Sequence, residues 1–208
     1  DVAPSRGLGD VYKRQIWLYY MTRFPNMPLR ILNGGIGGDT AYDMNKRLDG
    51  DIFPMKPSVL MVTFGMNDSG YFEYNGDNPK EFGEQKYQES IKNYQQMEKR
   101  FKDLPDTRIV MVGTSPYDET VQLKENVPFK TKNETIKRIV EYQKESAAKN
   151  NWEFTDLNAP MVALNQQNQQ KDPAFTLCGS DRIHPDNDGH MVICLLYTSP
   201  SPRDGATS

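Results

Sequence analysis

The chain has 208 residues, a net charge of −3, 37% hydrophobic residues and two cysteines. That length suits one domain with a core of its own. The mild acidity excludes a basic nucleic-acid surface, no apolar run reaches the roughly 20 residues of a membrane span, and two cysteines exclude a disulfide-rich scaffold.

In chain order, helix and strand patterns alternate. Residues 16–24 are apolar and aromatic and end at Pro25 and Pro28, which predicts a helix. Residues 29–33 form a short apolar run before a glycine cluster, which predicts a strand, and residues 40–48 predict a short helix. Residues 58–64 (SVLMVTF) are continuously apolar and β-branched, the pattern of a strand buried on both faces. A polar, aromatic loop follows over 71–79. Tyr87, Ile91, Tyr94 and Phe101 then recur at helical spacing. Residues 108–113 (RIVMVG) predict another buried strand, and 114–128 a Pro-rich loop. Ile136, Ile139, Val140 and Ala147 mark a helix, 152–154 a short strand and 160–169 a polar helix. From Gly189 onward the pattern is the first turn of a helix that is cut short. Strands alternating with helices predict an α/β fold with a parallel sheet covered on both faces.

The ends read differently. One DNA string that encodes Ser5–Gln15 gives, as its reverse complement read one base out of register, Cys194–Asp204. Such an inverted repeat resembles a transposase-type sequencing adapter. Residues 1–15 and 194–208 are therefore expected to be non-native tails flanking a domain over 16–193. On that division Cys178 has no intrachain partner, and the redox compartment stays open. An incomplete sheet with unpaired strand edges is also expected.

Three segments carry chemistry. Asn33-Gly34-Gly35-Ile36-Gly37-Gly38-Asp39-Thr40 lies between a predicted strand and a helix, where open α/β sheets place ligands. Glycines there admit close backbone approach, although a tight turn reads equally well. The Gly-Lys-Ser/Thr ending of a phosphate loop and the dinucleotide spacing are both absent. Gly65-Met66-Asn67-Asp68 follows the second apolar run, where Asn67 could aim its amide at a ligand or simply make a turn. In Asp181-Arg182-Ile183-His184 the carboxylate can reach back to the ring Nδ1, leaving Nε2 as a general base. Metal ligation by His184, His190 and Asp186 or Asp188 is a weaker reading, because no further ligand cluster accompanies them.

In their order and spacing these segments resemble three of the four signature blocks of the SGNH (GDSL-type) hydrolases. The resemblance implies a flavodoxin-like three-layer α/β/α fold and a serine ester hydrolase. It implies a Gly38 N–H and the Asn67 side-chain amide in an oxyanion hole, His184 as base, Asp181 as its orienting partner, and no cofactor or metal. The first block, Gly-Asp-Ser, has no match: Gly9-Asp10-Val11 carries valine, and Ser69 and Ser180 do not sit at a strand-to-turn nucleophile position. The nucleophile is expected upstream of Ile16, and the chain as written is expected to be inactive. The implied substrate is a small-molecule or carbohydrate ester, with no nucleic-acid partner; polar Tyr/Asn/Gln-rich loops suit an exported, glycan-directed enzyme. The sequence sets no acyl specificity, compartment or oligomeric state. One alternative is a non-catalytic carbohydrate-binding module that stacks sugars on the 71–79 loop and Tyr117. Another is a flavodoxin-like cofactor binder, which the missing phosphate loop disfavours.

Overall fold

The computed structural model describes residues 17–124 and 127–198. Of the expected tails, residues 1–15 and 199–208 lie outside the described residues. The elements are α1 (17–23), α2 (Ala41–Arg47), β1 (Val59–Phe64), α3 (Pro79–Lys102), β2 (Arg108–Gly113), α4 (Lys132–Lys149), β3 (Glu153–Asp156), α5 (Asn158–Gln169) and α6 (Asn187–Thr198). The described strands form a parallel sheet in the order β1-β2-β3. The fold is α/β in three layers, as the alternating pattern predicts.

Alternation along β2 explains the layers, since successive side chains point to opposite faces. Ile109 and Met111 join Val62 and Phe64 of β1 in a core against Tyr94, Met97 and Phe101 of α3 and Ile139 and Ala147 of α4. Val110 and Val112 point the other way, into a core with Leu157, Met161, Leu177, Cys178 and Ile193 under α5 and α6. At the end of β2 a Cβ on Gly113 would lie 2.7 Å from Val140 Cγ1, so only glycine lets α4 sit this close to the sheet. The register aligns Phe64, Gly113 and Asp156, so the three carboxyl ends make one edge. The loops that leave this edge carry the candidate site.

Three expectations change. Residues 29–33 form no strand. A strand exists only as a paired object, and among the described residues none lies beside this segment. β1 is not buried on both faces: Val59 and Met61 are 46% and 42% exposed, because the layer under α5 and α6 covers β2 and β3 but stops short of β1. Finally, the helical pattern from Gly189 continues as α6 into residues 194–198, part of the expected tail. It runs to Thr198, and Leu196 and Tyr197 pack against the second core. Among the described residues no helix is long and apolar enough to cross a membrane.

Candidate active site

β1 ends at Phe64 and the chain reverses through Gly65, whose φ of +125° an L side chain rarely adopts. The turn that follows is held by Asp68, a buried carboxylate the sequence reading treated only as a turn residue. Its Oδ2 accepts from the Gly65 N–H at 3.0 Å. Its Oδ1 accepts from the Ala41 N–H at 2.9 Å and from Ser90 Oγ at 3.1 Å. Burial pushes the Asp68 pKa up, and these donors pull it back. One side chain thus ties the end of β1 to the first turn of α2 and to α3.

That tie brings the glycine block beside Asn67. The Asn67 side-chain amide donates to the Asp39 carbonyl at 3.0 Å, using one of its two hydrogens. Its Oδ1 accepts from the Tyr71 hydroxyl at 2.6 Å. Asp39 is clamped by Arg47 at 2.6 Å, and Thr40 starts α2 with a capping box to Asp43. Gly38, just before this fixed point, has φ +89° and open space where a side chain would stand.

Asp181 and His184 come from the segment between α5 and α6. The Asp181 Oδ2 lies 2.6 Å from His184 Nδ1, while its Oδ1 accepts from the Ile183 and His184 N–H groups, each at 2.9 Å. Burial raises the Asp181 pKa, but the bonds from the His184 ring and from both backbone groups outweigh it and hold the carboxyl below its ordinary value. The His184 ring itself is 62% exposed. Arg182 between them is the anchor that sequence reasoning missed. It is 1% exposed, sits at φ +66°, and donates through Nη1 to the Asp118 and Val121 carbonyls at 3.1 and 2.7 Å. A charged residue between Asp181 and Ile183 reads as surface, and only the closed turn shows it to be buried.

Tyr71 is where the segments meet. Its hydroxyl bonds Asn67, and its pKa is raised to about 12 by burial first and then by the nearby Asp181 and Asp68 carboxylates. Met66 and Ile183, the neighbours of Asn67 and His184, pack in the same apolar cluster around Tyr117, Ile136 and Val140. His190 does not join them. Its backbone N–H bonds the Asp186 carbonyl within the first turn of α6, and burial lowers its pKa. Among the described residues no three His, Cys, Asp or Glu side chains gather as a metal site.

Behind the turn lies a second missed group, Lys132. It is fully buried, and its Nζ donates to Met66 O at 3.0 Å, to Ser69 Oγ at 2.5 Å and to Gly70 O, 3.9 Å from the centre of the Tyr71 ring. A serine beside a lysine can form a nucleophilic pair. Here Ser69 is fully buried and its hydroxyl is donated to Met66 O at 2.8 Å, so the pair braces the turn instead. Burial lowers Lys132 to about 7, against the pull of the Asp68 carboxylate. The unfolded lysine keeps the ordinary 10.5 and so holds its proton to higher pH. Stability should therefore rise between those values, by up to about 1.4 kcal/mol per pH unit. Thermal melts should show a higher Tm at pH 9 than at pH 7, and Lys132→Met should erase that gain. An equal gain in the variant would remove Lys132 as its source.

The model of the GDSL-like lipase/acylhydrolase family matches residues 6–192. An acetylxylan esterase of Geobacillus stearothermophilus is 25% identical over 191 residues, covering 91% of this chain and 80% of that protein. An uncharacterized lipoprotein of Bacillus subtilis (strain 168) is 38% identical over 60 residues, 29% of this chain and only 25% of the lipoprotein. Among solved structures, a chain described as a gut microbial diltiazem-metabolizing enzyme is 81% identical with a TM-score of 0.86; the match covers 89% of this chain but 42% of that one. The chain therefore matches less than half the length of that relative. A GDSL-like lipase from Parabacteroides merdae shares the fold, with a TM-score of 0.69 at 18% identity over 89% of this chain and 79% of that one.

Proposed function

The chain belongs to the GDSL-like lipase/acylhydrolase family, and from that premise we propose that it carries most of the active site of a serine ester hydrolase. The observation that carries the reading is the Asp181–His184 pair at 2.6 Å, linked through the surroundings of Tyr71 to the Asn67 amide. His184 Nε2 takes the proton of a serine hydroxyl as that oxygen attacks an ester carbonyl, and returns it to the leaving alcohol. Asp181 holds the ring through Nδ1 and stabilises the imidazolium formed at attack. The second N–H of Asn67 and the Gly38 N–H meet the negative charge that develops on the carbonyl oxygen. Deacylation by water repeats the sequence with the same groups.

The serine belongs to a Gly-Asp-Ser segment ahead of residue 16. Among the described residues neither serine beside the site is a substitute: Ser69 is buried and committed, and Ser180 is an exposed residue of the turn before Asp181. We therefore expect no turnover from this chain and turnover once that segment is supplied. Acetylated carbohydrate or another small acylated alcohol is the substrate class, in line with the acetylxylan esterase relative. Of the rings named for a pure sugar-binding role, Tyr74 and Tyr117 are 2% and 1% exposed and present no face to a sugar.

The test is kinetic. In a chain bearing the restored Gly-Asp-Ser segment, Asn67→Ala should lower kcat for p-nitrophenyl acetate by about 10²–10³-fold with little change in KM. An unchanged kcat would remove Asn67 from the oxyanion hole.

A further inference from the structure

We infer that Phe72, backed by Phe129, is a platform on which a ring of the substrate rests beside the scissile ester. The inference rests on the ester-hydrolase reading for the position of the ester, but not for the ring contact itself.

Phe72 is 80% exposed, and an apolar ring left in water forgoes the free energy that burial would give. It is nevertheless held in place. Its ring meets Phe129 edge to face, with centroids 5.7 Å apart and planes at 83°. Phe129 stacks on Tyr117 at 5.7 Å and donates its backbone N–H to the Tyr117 hydroxyl at 3.0 Å. The short helical turn Phe72–Asn75 is pinned by Tyr74, whose hydroxyl bonds the Ser69 carbonyl at 2.8 Å and lies 3.0 Å from Thr135 Oγ1. Tyr71, on the other side of Phe72, is fixed to Asn67. An exposed ring on a rigid mount is presented to a ligand with little further loss of freedom.

Its position selects the ligand. Tyr71 and Phe72 both meet Phe129, which packs in one apolar cluster with Met66 and Ile183, the neighbours of Asn67 and His184. An ester carbonyl within reach of Asn67 and His184 therefore has this aromatic wall on its flank. Val127, on the same loop as Phe129, is also exposed and adds no charge. A single open ring offers face and edge contact to another ring, whereas an acyl chain needs an enclosing groove. The shared chemistry is a neutral ring with an apolar face, either an aryl group or the C–H face of a pyranose.

The chain as it exists can test this, since binding needs no turnover. NMR titrations would use 2-naphthyl acetate, 2-naphthol, a fully acetylated methyl xylopyranoside and ethyl acetate. Phe72→Ala should weaken at least one ring-bearing probe by about 3- to 10-fold and leave ethyl acetate unchanged, and Phe72→Tyr should retain the affinity. Loss confined to the naphthyl probes assigns an aryl ring, and loss confined to the xyloside assigns a sugar. Ring-probe affinities that Phe72→Ala does not alter overturn the inference. If 2-naphthol binding depends on Phe72 while the serine-restored chain hydrolyses no ester, the platform stands and the hydrolase reading falls. If esters are hydrolysed with no Phe72 dependence of binding, the reverse holds.

Discussion

Replacing His184 by alanine in the serine-restored chain should lower kcat/KM for a short ester by about 10⁴-fold or more. Without the imidazole the serine hydroxyl has no proton acceptor at attack, and the leaving alcohol has no donor at collapse. Asp181→Asn should cost about 10⁴-fold by another route. Asp181 Oδ2 lies 2.6 Å from Nδ1, and an amide nitrogen placed there would favour the wrong tautomer, turning Nε2 into a donor. The other oxygen of the carboxylate accepts the Ile183 and His184 N–H groups, and the amide oxygen left in its place keeps the turn closed. Stopped assays on p-nitrophenyl acetate, with folding checked by circular dichroism, would measure both effects. A His184→Ala variant that kept most of its activity would place the general base elsewhere.

The second large effect concerns stability. Asp68→Ala should destabilise the fold by about 3–5 kcal/mol, because it orphans three donors that no water readily reaches. These are the Ala41 and Gly65 N–H groups and the Ser90 hydroxyl. Part of the loss is offset, since alanine removes a carboxylate whose burial already raises its pKa. The remainder is a large fraction of a typical domain's 5–15 kcal/mol, roughly speaking. Urea denaturation should show a clear drop in midpoint, with Asp68→Asn intermediate because its amide keeps one acceptor. Midpoints equal to that of the parent chain would mean that the β1 end, α2 and α3 are held together by other contacts.

Periodicity made much of the fold legible. β2 reads as a buried strand because it is one, with Ile109 and Met111 on one core and Val110 and Val112 on the other. α3 and α4 follow from apolar residues at helical spacing, and a proline opens α3 where its missing N–H costs nothing. What stayed hidden depends on partners distant in sequence. Residues 29–33 have strand composition but no neighbouring strand among the described residues, and β1 has strand composition on a face where Val59 and Met61 stay exposed. The 71–79 loop reads as wet, yet Tyr74 is buried because Ser69 and Thr135 satisfy its hydroxyl.

The candidate site divides along the same line. Asp181 and His184 lie three residues apart, so their contact follows from local geometry, and the glycine and asparagine segments are visible as motifs. The groups that brace them are buried charges. Asp68, Arg182 and Lys132 each read as surface residues, because charge is rarely buried without partners. Their partners come from elsewhere in the chain: Ala41 and Ser90 for Asp68, Asp118 and Val121 for Arg182, and the 66–70 turn for Lys132. Arg182 also needs a positive φ that its residue type does not announce.

The most direct test of the hydrolase assignment is a crystal structure of the serine-restored chain after reaction with a small alkyl fluorophosphonate. The expected result is a phosphonylated serine whose phosphoryl oxygen accepts hydrogen bonds from the Gly38 N–H and the Asn67 side-chain amide, with His184 Nε2 facing the serine oxygen and Asp181 on Nδ1. A folded chain whose restored serine stays unmodified, or an adduct with its phosphoryl oxygen turned away from Gly38 and Asn67, would contradict it.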